Sequence, residues 1–167
     1  MANWKKQYSE KLRSMDDAIR ALPKTASAIM GMASMESQGF MSNVHRFADH
    51  FDNLHILSCL NLSSYAFCEE KQYEETFVND NWFYGPSNRK AAAAGYKLVD
   101  FIPNNLHRAG TDKLVALKEE RHTIVYWGPV TALQERTGFF NLGLSNVYEL
   151  EVIEQADMVV LEVNRTV

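Results

Sequence analysis

The sequence predicts an α/β domain, an open and mostly parallel sheet with helices on both faces. Two observations carry this reading. Short apolar runs recur along the chain, at Thr25–Met30, Leu54–Leu60, Leu98–Ile102, Thr123–Trp127 and Asp157–Val163, each of strand length. Segments of helical character separate most of them, the alternation expected where parallel strands are joined by crossover helices. The stretch Asn81–Pro103 holds a whole unit of this kind: aromatic run, Gly-Pro turn, helix start, glycine stop, apolar strand.

Each element has its own local reason. Trp4, Tyr8 and Leu12 fall four apart, so a charged N-terminal helix over residues 3–13 shows one apolar stripe and lies across the domain. Ser14 with Asp17 reads as a capping box for a second helix that Pro23 limits. Thr25–Met30 is the first core strand, and the small-residue loop Gly31–Gly39 leads from it into an amphipathic segment, Phe40–Phe51. Leu54–Leu60 is the second strand with a polar exit at Asn61, whereas Glu69–Asn79 reads as helix or loop. Gly85-Pro86-Ser87 turns into a helix whose first N–H groups Ser87 or Asn88 can accept, and Gly95 closes it in a left-handed conformation. Leu98–Ile102 follows as a buried strand ending at Pro103. Residues 104–121 read as a polar connection with a helical turn at most. Thr123–Trp127 is a strand ending at Gly128-Pro129, and the residues after it make an excursion containing a hairpin. Val147–Ala156 is a helix and Asp157–Val163 the last strand.

At 167 residues and 46% hydrophobic content, the chain is sized for a single domain with a substantial core. Its formal charge of −4, with both signs interspersed, leaves no basic footprint for nucleic acid or anionic lipid. The opening residues carry charges throughout and no apolar h-region, and no window approaches the roughly 18 apolar residues of a span. A cytoplasmic protein without a membrane segment is expected. Cys59 and Cys68 are then reduced, and the sequons at Asn61 and Asn164 carry no meaning. The last strand runs almost to Val167, which reads as one domain of a longer protein.

Candidate chemistry is sparse. His45, His50 and His55 recur every five residues, which turns His45 and His50 to different sides of a helix rather than into a metal-binding pair, so no metal is expected. Cys59 sits at an apolar strand end, where a thiol is inert. Met30, Met32, Met35 and Met41 read as adaptable core or pocket wall. Glu36, in the small-residue loop, reads as a surface charge, and Glu162 as a partner for Arg89 or Arg108. The loop after the first strand can expose N–H groups to a phosphate or a carbonyl oxygen, although it matches neither the P-loop nor the dinucleotide fingerprint.

The order of segments resembles the N-terminal half of the acetyl-CoA hydrolase/4-hydroxybutyrate CoA-transferase family. The matching residues are Phe83 with Gly85, Asn88-Arg89 and Gly95; Asp100 to Pro103 with Leu106; Gly128-Pro129; Gly138 to Phe140 with Gly143 and Ser145-Asn146; and Ala156-Asp157 with Glu162 to Asn164. Trp4, Tyr8, Lys11 and Ser14 are similar to that family's opening. The resemblance implies a CoA-transferase-like fold of two similar halves, this chain being the first. It implies coenzyme A as a substrate rather than a bound cofactor, with an acyl-CoA and a short carboxylate as partners. It also implies a catalytic glutamate in the C-terminal half that passes through acyl-glutamyl anhydride and glutamyl-CoA, so no catalytic residue is assigned here. The expected contribution of this half is a pocket wall: Gly31, Met32, Ala33 and Ser34, Asn61 at the second strand's exit, and Gly138 and Asn146 in the excursion, with donors there for a developing oxyanion. Two departures stand out, Gln38-Gly39 where the family has a proline and Thr131 where it commonly has an aspartate. Hydrolysis by the same route, and a non-catalytic ligand-binding module, are the alternatives. Self-association into a homo-oligomer is expected, because a half-enzyme exposes an apolar face.

Overall fold

A strand sends successive side chains to opposite layers, and in this computed structural model both faces of the sheet are covered, so the central strands are buried nearly throughout. The structure describes residues 4–97, 99–120 and 122–165. Asn3, Leu98, Arg121 and the chain end, to which some of the expected segments extend, lie outside them.

The strands are β1 (Thr25–Met30), β2 (Asn53–Ser58), β3 (Phe77–Asn81), β4 (Val99–Phe101), β5 (Ile124–Val130) and β6 (Met158–Val163). They form one sheet in the order β4-β3-β2-β1-β5-β6, every pair parallel. The chain winds outward from β1 to β4, then returns to the other side of β1 for β5 and β6. The order therefore reverses between β1 and β5, and in open sheets a ligand crevice opens at such a switch point, beyond the strands' C-terminal ends.

One face buries Ala26, Ala28 and Met30 of β1, Leu54 and Ile56 of β2, Phe77, and Val125 and Trp127 of β5. The helices α2 (Met15–Arg20), α3 (Gln38–Asn43) and α4 (Ala66–Glu69) pack on it through Ile19, Phe40, Met41 and Phe67, together with the 3-10 segment Val44–His50. The opposite face buries Ile29, Leu57, Ile124 and Tyr126 against α6 (Asp112–Glu119) and α7 (Glu149–Gln155), through Leu114, Leu117 and Val152. Period-two strands thus divide one sequence between two cores.

Local signals hold at the caps. The Ser14 hydroxyl accepts from the Asp17 N–H at 3.1 Å and starts α2. In α5 (Pro86–Ala93) Gly85 is the cap residue and Pro86 takes the first turn, so neither Ser87 nor Asn88 caps it. Gly95 then closes α5 at φ 77° as expected. The helix α1 (Trp4–Lys11) buries none of its side chains.

Four expectations are corrected. Residues 77–79, the end of the stretch read as helix or loop, belong with Asp80 and Asn81 to the internal strand β3, whose polar residues Asn79, Asp80 and Asn81 are buried. Residues 112–119 form a full helix rather than a turn, because Leu114 and Leu117 reach the core together. β4 is an edge strand with Phe101 51% exposed, not a buried one. β5 passes through Gly128 and Pro129 to Val130 rather than stopping before them. In the excursion, backbone bonds from the Thr131 N–H to Asn141 and from the Gln134 N–H to Phe139 fold the chain back on itself, as a hairpin does.

Candidate functional site

The exits of β1 and β2 lie side by side and are both strained. Ala33 at φ 51° and Leu60 at φ 57° are the non-glycine residues in the left-handed region among the described residues. Such a conformation costs roughly 1–2 kcal/mol per residue and persists where surrounding contacts impose it. Here the Ala33 N–H donates to the Cys59 carbonyl at 3.1 Å and stitches the two exits together. Gly31 has no room for a side chain, since a Cβ there would lie 2.3 Å from the Met35 carbonyl oxygen.

Carboxylates pin the rim from beneath. Glu149, buried at the start of α7, accepts the Met32 N–H at 3.3 Å and also those of Val147 and Tyr148. Glu162 of β6 accepts from the Gly39 and Phe40 N–H groups at 2.9 and 3.2 Å and from Trp127 Nε1 at 3.2 Å. It does the work of a helix cap for α3 from a distant strand, where the N-terminal dipole favours an anion. The hydroxyl of Ser37, the local cap residue, donates to the Trp127 carbonyl instead. Gly39 is what allows this approach, because a Cβ would sit 2.6 Å from Glu162 Oε1. Glu162 therefore pairs with neither Arg89, which donates to the Tyr84 carbonyl, nor Arg108, which pairs with Asp112.

Glu36 is buried rather than on the surface, accepting the Leu62 N–H at 3.1 Å through Oε2. Its Oε1, the Tyr65 hydroxyl and both amide atoms of Asn61 are buried with no hydrogen-bond partner among the described residues. Burial, with the Glu36 carboxylate beside it, pushes the Tyr65 phenol well above its ordinary pKa, so it stays protonated as a donor. Cys59 is raised to about 11 by burial and by Glu149, which keeps it an unreactive thiol at neutral pH. Cys68, also buried, rises to about 12.

Of the residues expected to line a pocket, Gly31, Met32, Ala33, Ser34 and Asn61 come together at these two exits, with Ser34 exposed and Met32 half-buried. The N–H groups of Met32 and Ala33 are already engaged, by Glu149 and the Cys59 carbonyl. Gly138 lies elsewhere, at φ 76° beneath Trp4 of α1, and Asn146 is exposed. The excursion reaches the loop instead through Leu144, whose N–H lies 3.2 Å from Met35 Sδ. Sequence reasoning passed over Glu149, whose place at a helix start beside a small-residue loop was the available signal. His50 Nε2 lies 3.0 Å from the Leu22 carbonyl and His55 belongs to β2, so the spaced histidines do not converge.

The strained polar rim stands at the exits of β1 and β2, and β1 also borders the switch point of this parallel α/β sheet, beyond whose strand ends such sheets open a crevice. The chain belongs to the family of acetyl-CoA hydrolase/transferase N-terminal domains, which it matches over residues 1–167. No curated protein sequence matched it directly. Among solved structures, RipA from Yersinia pestis superposes with a TM-score of 0.83 at 20% identity, over 98% of this chain and 38% of that one. A 4-hydroxybutyrate CoA-transferase from Porphyromonas gingivalis superposes with a TM-score of 0.63 at 18% identity, over 96% of this chain and 35% of that one. The chain thus spans well under half the length of either, and at these identities the likeness is one of fold.

Proposed function

We propose that the chain is the substrate-lining N-terminal half of an acyl-CoA:carboxylate CoA-transferase. The observation that carries this is the strained, stitched pair of strand exits at Ala33 and Leu60, in a chain whose family is named for acetyl-CoA chemistry. In this reading a glutamate of the C-terminal half attacks the thioester carbonyl and expels the CoA thiolate, leaving an acyl-glutamyl anhydride. The thiolate attacks the glutamyl carbonyl, releases the first carboxylate and forms glutamyl-CoA. An incoming short carboxylate reverses the two steps and departs as the new acyl-CoA.

This half supplies shape and polarity. The loop Gly31–Ser34 and Asn61 form one wall of the acyl pocket and Asn146 flanks it from the excursion, whereas Gly138 lies beneath Trp4, away from that wall. Glu36, Glu149 and Glu162 hold that wall still, since each accepts backbone N–H groups at the rim. The stretch alone is inactive, and the full-length protein works as a cytoplasmic homo-oligomer. Hydrolysis is the second reading, favoured by the unpartnered atoms of Glu36, Asn61 and Tyr65, which suit an ordered water beside the loop.

The test is an assay of the full-length gene product with acetyl-CoA and a panel of short carboxylates, with borohydride present to trap glutamyl-CoA. Transfer to one carboxylate, with substrate-dependent inactivation, is the expected outcome. Thiol release without an acceptor would establish the hydrolase, and neither exchange nor trapping would overturn both readings.

A further inference from the structure

The first helix is more exposed than its composition suits. α1 has eight residues and buries no side chain, although Trp4, Tyr8 and Leu12 run along one side of the segment. Helices shorter than about 12–15 residues are marginal in water, and packing of an apolar face is what holds most of them. α1 meets the body at the excursion, with Trp4 against Gly138 and the Tyr8 ring edge-on to Phe140 at 5.8 Å. Leu12 stays 50% exposed.

β6 shows the same defect from the other side. It is an edge strand of a parallel sheet, a kind of sheet whose faces are ordinarily both covered, yet Val159 and Val163 are exposed and Met158 and Val160 half-buried. Between α1 and β6 runs a groove of about 830 Å³, walled by Tyr8, Leu12, Met15, Phe140, Met158 and Val160. One cover laid along it would bury both elements.

The groove suits a packing surface rather than a small polar ligand, because most polar groups along it are already engaged. The Glu162 carboxylate accepts from Gly39, Phe40 and Trp127, the Arg13 guanidinium donates to the Glu10 and Leu12 carbonyls, and the Ser14 hydroxyl caps α2. Lys11 stands at the margin with no carboxylate partner among the described residues, since Glu10 faces Lys6. An apolar floor with an unpaired ammonium at its lip fits an amphipathic helix that lays its apolar stripe into the groove and sets an acidic residue over Lys11.

Charge and length choose the occupant. The α1 segment carries Lys5, Lys6, Lys11 and Arg13 against Glu10 alone, so a second copy related by a two-fold axis would bring like charges together across the contact. The family is one of N-terminal domains, and this chain spans 38% of RipA, which leaves a C-terminal part long enough to supply the cover. We propose that the α1–β6 groove is the seat of an amphipathic helix from the C-terminal half of the same polypeptide, an assignment that rests on reading this chain as the N-terminal half of a longer protein.

The experiment uses an equal mixture of ¹⁵N-labelled and unlabelled full-length protein, joined lysine to carboxylate by a zero-length carbodiimide, with amide hydrogen exchange measured alongside. Lys11 should be joined to an aspartate or glutamate beyond residue 167 of its own chain. The amides of residues 5–11 should exchange at least about a hundredfold more slowly than in a free peptide of residues 1–14. Leu12→Glu, at a half-exposed position outside the core, should return those amides to the peptide's rate and leave β1 and β2 unchanged. Wild-type α1 amides that exchange like the free peptide overturn the proposal, and so do Lys11 cross-links that join labelled to unlabelled chains, which would make the occupant a second copy. Protection and cross-links within one chain, in a protein that transfers no acyl group, would keep the seat and discard the transferase. Acyl transfer by a protein whose α1 is unprotected would discard the seat alone.

Discussion

The two faces of the sheet are built on different principles. On one, Phe40, Phe67, Phe77 and Trp127 pack with α2, α3 and α4, and a group of neutral polar residues is buried beside them. Ser58, Asn79, Asn81 and Asn88 satisfy one another by hydrogen bonds of 2.9–3.3 Å. On the other face a row of titratable groups crosses the strands. His55 Nδ1 lies 2.7 Å from Asp80, His122 Nδ1 lies 2.6 Å from the Ser27 hydroxyl, and the two imidazoles meet edge to face at 5.1 Å. The first face is held mainly by apolar packing, and the second carries His122, whose lowered pKa makes stability depend on pH.

The sharpest way to break the first face is Trp127→Ala. It removes a fully buried ring packed at a tilt against Phe40 with centroids 4.5 Å apart, and should lower unfolding free energy by about 3–5 kcal/mol in urea titration. Next comes Glu162→Ala, which strands the Gly39, Phe40 and Trp127 donors at the rim. A loss of about 1–3 kcal/mol is expected, with faster amide exchange at Gly39 and Phe40.

The second face is sharpened by pH. Burial is the largest cause holding the His122 pKa below its ordinary value, and the facing His55 and Lys113 add to it against the opposing pull of Glu120 and Asp80. A base whose folded pKa is depressed takes its proton more readily when unfolded. Its contribution to stability is therefore complete above about pH 6.5 and is lost as pH falls below that value towards the folded pKa. The urea midpoint should drop through this window, and His122→Gln should flatten the drop. A midpoint that falls just as steeply in the variant would remove His122 from the account. The smallest effect belongs to the surface: Lys6→Ala breaks an exposed pair with Glu10 at 3.7 Å and should change stability by less than about 0.5 kcal/mol.

Much of the fold was legible in the chain because apolar strands of period two and capped helices announce themselves locally. Thr25–Met30, the Ser14 cap and the Gly95 stop stand where the pattern placed them. β3 did not announce itself because its polar residues find partners on other elements, Asp80 on His55 and Asn79 on Ser58 and Asn88. α6 was hidden by a polar majority that conceals two core leucines. The edge position of β4 could not be read from an apolar run, since the run has the same composition whether or not something covers it.

The rim divides in the same way. The small residues Gly31 to Ser34 and the polar exit at Asn61 marked it in the sequence, because tight turns need residues of those kinds. Its supports were marked locally only in Glu149, by a place at a helix start, and not in Glu36 or Glu162. A glutamate in a sequence looks like a solvated charge, and whether it becomes a buried acceptor depends on which backbone N–H groups the fold brings to it. By itself, then, the sequence determined the alternation of strands and helices and the small, strained loops at the strand exits, through period, capping and turn chemistry. Only the tertiary structure decided which carboxylates were drawn inside, since desolvating them is tolerable only where distant segments supply donors.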